Sequence, residues 1–137
     1  MNRWRLLAIT AAGLCLMLGG CSKARLKTKC RVLKDGQPLV PKEGESIRVT
    51  FVPIRPDGTP PTDHYHAVFH ESDGVFRAAG KDLKGVPPGK YRVAVEYKKN
   101  RQDALDGKFD EDHSPFVFDV TAKTAELVID LDHPPTK

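Results

Sequence analysis

Tryptophan occurs once in the 137 residues, at Trp4, and cysteine three times, at Cys15, Cys21 and Cys30. No Cys-x-x-Cys, His-x-x-Glu or Gly-x-Ser-x-Gly element is present, and no Gly-rich loop of the kind that cradles phosphate. These absences remove the common sequence signatures of thiol redox chemistry, zinc peptidases, serine hydrolases and nucleotide binding. The longest basic run is the pair Lys98-Lys99, and no basic patch with interleaved aromatics occurs, so nucleic acid is not an expected partner. Apolar runs are short as well. The longest, 6–18, has 13 residues, fewer than the roughly 20 that a spanning helix requires. What is abundant is turn chemistry: 11 Gly and 11 Pro favour a strand-and-turn fold over a helix bundle.

The N-terminus has the order of an export signal. Arg3 and Arg5 stand without an acid, the apolar run follows with Thr10 as its polar interruption, and the run ends in Leu18-Gly19-Gly20-Cys21. That ending resembles the bacterial lipobox. The resemblance implies cleavage before Cys21, a diacylglyceryl group on its thiol and further acylation, including palmitate, of the new N-terminus. Residues 1–20 are therefore expected to be a lipoprotein signal peptide and 21–25 a lipidated tether. Two or three acyl chains hold a protein stably on a membrane where one does not. Removing the first twenty of 137 residues leaves 117, and losing Arg3 and Arg5 lowers the net charge from +4 to +2. Cys15 leaves with the signal and Cys21 is modified, so Cys30 is the one remaining thiol and no internal disulfide is expected. Ser22 is not the Asp that favours retention at the inner membrane, which gives outer-membrane sorting a slight preference.

Downstream, period-two alternation dominates. Strands are expected over 26–32, 47–51, 64–70, 75–78, 91–97, 116–120 and 126–131. Turn signals lie between them at Asp35-Gly36, Lys42-Glu43-Gly44, Asp57-Gly58, Asp73-Gly74 and Pro87-Pro88-Gly89. One apolar face per strand is what two packed antiparallel sheets need, so the expected fold is an all-β, seven-stranded antiparallel sandwich. The long polar stretch 99–114 is expected to hold a short helical turn near 102–105.

The run from Cys30 to Leu39 (Cys-Arg-Val-Leu-Lys-Asp-Gly-Gln-Pro-Leu) resembles the opening strand and turn of carboxypeptidase regulatory-like domains. Residues 47–53, ending Phe51-Val52-Pro53, are similar to that family's second strand. Asp73-Gly74-Val75-Phe76 and Val86-Pro87-Pro88-Gly89-Lys90-Tyr91-Arg92-Val93 resemble its later turn-and-strand elements. The resemblance implies a transthyretin-like or Ig-like sandwich over 26–133, followed by a short tail at 134–137. It also implies a non-catalytic role, because in the large carboxypeptidases such a domain accompanies a separate zinc domain and supplies no catalytic residue. Here His70-Glu71 stands where a Thr-Asp pair is common in the family.

The sharpest chemical constellation is Asp63-His64-Tyr65-His66, with His70 beyond it. On a strand His64, His66 and His70 share a face, and the first two stand about 7 Å apart at Cα. Two such imidazoles can converge on zinc or a similar metal, with Asp63, Glu71 or His113 completing the set. A solvent-facing polar strand accounts for the same residues without a ligand. Val68 breaks the polar side of that strand. Cys30 has core-facing parity and is expected to be an inert buried thiol. Asp106, Asp110, Glu111 and Asp112 do not have EF-hand spacing and read as a solvated loop. The expected function is that of a membrane-anchored envelope lipoprotein, not an enzyme and without a cofactor beyond its lipid, with a structural role or one in binding an envelope protein or a glycan. The alternative is a metal-binding envelope protein using His64 and His66.

Overall fold

The computed structural model describes residues 24–136, and its described elements are all strands. No helix among the described residues is long and apolar enough to cross a membrane. In chain order the strands are β1 (Lys29–Lys34), β2 (Gln37–Pro38), β3 (Glu45–Pro53), β4 (Tyr65–His70), β5 (Val75–Ala78), β6 (Gly89–Lys99), β7 (Gln102–Asp103), β8 (Val117–Val120) and β9 (Glu126–Asp130). All seven expected strands form, and the two-residue strands β2 and β7 are added to them. The lipobox residues Leu18, Gly19, Gly20 and Cys21 lie outside the described residues.

Local chemistry explains the hairpins. In the β1–β2 turn Leu33 faces Pro38 and Lys34 faces Gln37, leaving only Asp35 and Gly36 as the loop, with φ of 54° and 69°. Two successive positive φ values make the turn whose twist matches that of its strands, and an Asp-Gly pair adopts it at low steric cost. The same two-residue geometry recurs at Asn100-Arg101, with φ of 48° and 69°, between β6 and β7. That turn replaces the helical turn expected at 102–105. After it the Asp103 carboxylate accepts from the backbone N–H of Leu105 (3.0 Å) and of Gly107 (2.8 Å), so the chain curls without forming a helix.

The strands make one curled sheet in which β4 is the corner. Its first two residues pair with β3 (Phe51↔Tyr65, Thr50↔His66) and its last four with β5 (Ala67↔Ala78 through His70↔Val75). On one side of this corner run β5, β1 and β9; on the other run β3, β6 and β8. The pairing of β1 with β9 is parallel, from Lys29↔Glu126 to Leu33↔Asp130, which corrects the purely antiparallel expectation. The reason is topological: β8 lies beside β6, and the connection through 121–125 carries the chain across to the β1 edge, so β9 arrives running in the direction of β1.

The concave side is the core. Phe51, Phe76 and Ile129 are its largest fully buried side chains, surrounded by Val32, Val49, Val86, Val93, Val95, Val120 and Cys30. Tyr91 sits edge-on to Phe51 at 5.9 Å between ring centroids, and its hydroxyl donates to the Pro87 carbonyl at 2.6 Å. Burial pushes the Tyr91 phenol up to about 12, which keeps that donor protonated at neutral pH. The Ser114 hydroxyl donates to the Val93 carbonyl at 2.5 Å and holds the 101–116 connection, with its buried Leu105 and Phe109, against β6.

Ahead of β1 the described residues are pinned at one point. Leu26 and Val86 exchange backbone hydrogen bonds of 2.8 and 2.9 Å, an isolated bridge ahead of β1. The loop that follows β5 folds back to reach that bridge, with the Gly85 N–H donating to the Ala79 carbonyl at 2.7 Å. Gly80 (φ 69°), Leu83 (φ 59°) and Gly85 (φ 106°) all have left-handed backbone in that loop.

Candidate functional site

The histidines are placed first by β4. His66 lies within the strand, exposed, opposite Thr50 of β3, and its Nδ1 is 3.1 Å from the Thr50 hydroxyl. His64 precedes the strand, and its Nδ1 meets the Glu111 carboxylate at 2.8 Å. The two imidazoles therefore use their Nδ1 atoms on different neighbours, one across the sheet and one toward the 101–116 connection. Of the residues expected to complete a metal set, Asp63 is paired with Lys81 at 3.0 Å and His113 with Asp110 at 2.7 Å. Glu111, the carboxylate that does reach His64, was not among them; it is 47 positions along the chain from that histidine and carries no sequence signal for the contact. Among the described residues no group of three or more His, Cys, Asp and Glu side chains is arranged to hold a metal ion.

The acidic stretch has an internal use. Asp110 accepts from the backbone N–H of Asp112 (3.1 Å) and of His113 (2.8 Å), and these bonds, led by that from His113, hold its carboxyl below the usual range. Asp130 does the same at the end of β9: the His133 side chain first and the Asp132 N–H second lower its carboxyl. Charged oxygens in these loops take the place of secondary-structure partners.

Cys30 is fully buried between Val32 and Phe76, as its parity predicts. Burial, aided by the charge of Glu126, pushes its thiol up to about 12. The thiolate is the reactive form, so Cys30 should resist a maleimide at pH 7 in the folded protein and react fully in denaturant. Mass spectrometry of the alkylated protein checks this; rapid modification under native conditions would contradict the burial.

A second site takes in His70 and lies away from the His64 and His66 contacts. On the convex side of β4 and β5, a groove of about 230 Å³ is lined by Lys27, Val68, His70, Arg77, Ala78, Ala79 and Leu83. Val68 is 43% exposed and Leu83 64%, so the groove has two large apolar side chains open to solvent. Three of its lining residues are basic in type and none is acidic. Asp73 pairs with Arg77, and Asp82 lies 3.9 Å from Lys84 beside Leu83. The sequence signal for this groove was Val68, the apolar residue that interrupts the polar side of β4. Leu83, isolated between charges in Lys81-Asp82-Leu83-Lys84, gave none.

The chain matches no protein-family model, no curated protein and no solved structure among those with which it was compared.

Proposed function

We propose that this chain is a lipid-anchored envelope protein, tethered through Cys21 and displaying a non-catalytic β-domain that binds an envelope protein or glycan. The observation that carries the reading is the spacing at the N-terminus. The lipobox-like Leu18-Gly19-Gly20-Cys21 stands five positions before Leu26, the first of the described residues tied into the fold by backbone hydrogen bonds. An export signal followed by a short polar tether and then at once by a folded domain is the arrangement a surface-held lipoprotein requires.

The domain reading extends to a transthyretin-like sandwich of the carboxypeptidase regulatory kind. Support comes from the split ladder of β4, which lets the two halves of the curled sheet close over one core, and from the Tyr91–Pro87 bond within the Pro-Pro-Gly-Lys-Tyr element. For a protein partner the geometry supplies a docking edge. Among the described residues β9 pairs only with β1, and Val128 on it is 50% exposed, so an extended segment of a partner can add there by main-chain hydrogen bonding.

The anchor is tested by expressing the full chain in a bacterium with a lipoprotein pathway. The mature protein should have the mass of a Cys21-initiated chain plus diacylglycerol and acyl groups, and it should fractionate with membranes. Cys21→Ser should abolish both the added mass and the processing. An unmodified Cys21 in the processed wild-type protein would sink the reading.

A further inference from the structure

We propose that the groove between Lys27, Val68, His70, Arg77 and Leu83 is a membrane-facing surface that rests on the anionic headgroups of the bilayer holding the tether. This rests on the anchored reading above and deepens it by assigning the orientation of the domain. Distance places this face close to the bilayer. Only five residue steps separate Cys21 from Leu26, and at no more than about 3.6 Å each they span at most about 18 Å. Leu26 is in turn bonded to Val86, directly after the 80–85 loop that carries Leu83. Lys27, one residue beyond the bridge, itself lines the groove. An anchored chain therefore holds this face within one short tether of the lipid.

The side-chain chemistry of the groove suits the same surface. An anionic interface attracts Lys and Arg, while apolar side chains at the same level enter the headgroup boundary. The groove offers Lys27, Arg77 and His70 around Val68, Leu83, Ala78 and Ala79, with no acidic residue in its lining. Arg77 is paired with Asp73, and the flanking Lys81 and Lys84 have Asp63 and Asp82 as partners. Lys27 has no such carboxylate partner among the described residues, so its charge is the one most available to lipid. Leu83 stands at the tip of the loop in left-handed backbone, presenting a side chain that is 64% exposed where a polar turn residue would be ordinary. The same combination fits a protein partner less well, because the short tether leaves little room for a globular partner between this face and the bilayer.

The test uses the full chain processed and lipidated in a bacterium, purified in detergent and reconstituted into vesicles. Because Cys30 is buried and Cys21 is capped by lipid, a single introduced thiol can be labelled selectively. Fluorophores at Leu83→Cys, and separately at Val68→Cys in case one position disturbs its loop, are compared with one at Val117→Cys, an exposed apolar site on β8. Quenching by spin-labelled lipid is read in phosphatidylcholine vesicles with and without phosphatidylglycerol. The expected result is strong quenching at 83 and 68, weak quenching at 117, and a rise in the first two when the anionic lipid is present. Lys27→Glu changes the local charge by two units and should lower the docked-to-undocked ratio roughly thirtyfold in the anionic vesicles. Equal quenching at 83, 68 and 117, or indifference to both anionic lipid and Lys27→Glu, overturns the orientation while the anchor stands. A chain that fails to float with the vesicles and carries no lipid by mass overturns the anchor, and the orientation with it. A 1:1 protein complex that protects position 83 while the lipid quencher does not reach it assigns the groove to a protein and also overturns the proposal.

Discussion

Phe51→Ala should lower the stability of the folded domain by about 3–5 kcal/mol, the largest effect expected of any core truncation here. Phe51 is completely buried on β3, the strand that pairs with β6 along its whole length and with β4 at the corner. Its immediate sheet neighbours are Val93 on one side and Tyr65 on the other. Its ring also meets Tyr91 edge-on, and Tyr91 in turn meets Tyr65 at 6.2 Å. Removing the ring leaves a cavity whose walls are backbone-pinned strands on both sides, so the site has little freedom to collapse, and the upper part of the range applies. No disulfide holds the described residues together, since the cysteine they contain is free, so no cross-link offsets the loss. Domains of this size have total stabilities of about 5–15 kcal/mol, so the variant retains a small margin at best. Unfolding in urea followed by far-UV circular dichroism gives the number. The midpoint should fall sharply with the slope unchanged, and Phe51→Leu should recover more than half of the loss. A midpoint within experimental error of the parent would mean that β3 does not hold the centre of the core.

How much of this was legible in the sequence follows from how local each cause is. Alternation fixes which strand residues face inward, and it placed Cys30, Val32, Phe51, Val93 and Ile129 on the buried side without any knowledge of pairing. The Asp35-Gly36 turn was equally plain, because a two-residue loop with positive φ at both positions has its own composition. Asn100-Arg101 makes the same turn without that composition, so the sequence points to a helical turn at 102–105 where none forms. The parallel β1–β9 pairing had no signature at all: five residues of alternation look the same whichever way the neighbouring strand runs. Sites behave likewise. The histidine spacing of β4 was visible, but the partners that each imidazole takes, Thr50 and Glu111, are decided by pairing between distant segments. The basic groove was hidden for the same reason, because Lys27, Val68 and Leu83 meet only once the 80–85 loop has folded back to the Leu26–Val86 bridge.

That bridge gives the second large effect. Gly85→Ala should destabilise the domain by more than about 2 kcal/mol, whereas Gly36→Ala should cost only about 1 kcal/mol, although both glycines have positive φ. The difference is what surrounds them. A Cβ on Gly36 would meet nothing within 4 Å, so that variant bears only the backbone strain of a left-handed L-residue. At Gly85 the added carbon would lie against the Leu26 backbone, 2.5 Å from its carbonyl carbon and 2.9 Å from its amide nitrogen. Backbone at that distance has no flexible end to swing away. The incoming chain must retreat, and with it go the paired hydrogen bonds between Leu26 and Val86. Gly80 packs against the same turn, with a Cβ there falling 2.6 Å from the Gly85 carbonyl oxygen, so the loop has no slack to absorb the shift. The consequences are local as well as global. Amide exchange at Leu26 and Val86 should accelerate more than the fall in overall stability accounts for, since the bridge opens before the sheet does. If the chain is anchored as proposed, the same variant lengthens the effective tether, because the fixed point of the described residues moves from Leu26 toward β1. Quenching at a labelled Leu83 should then weaken even though Lys27, Arg77 and the lipid are unchanged. If Gly85→Ala and Gly36→Ala were equally mild, the Leu26–Val86 bridge would not pin this segment to the fold, and the distance on which the membrane-facing orientation rests would be lost.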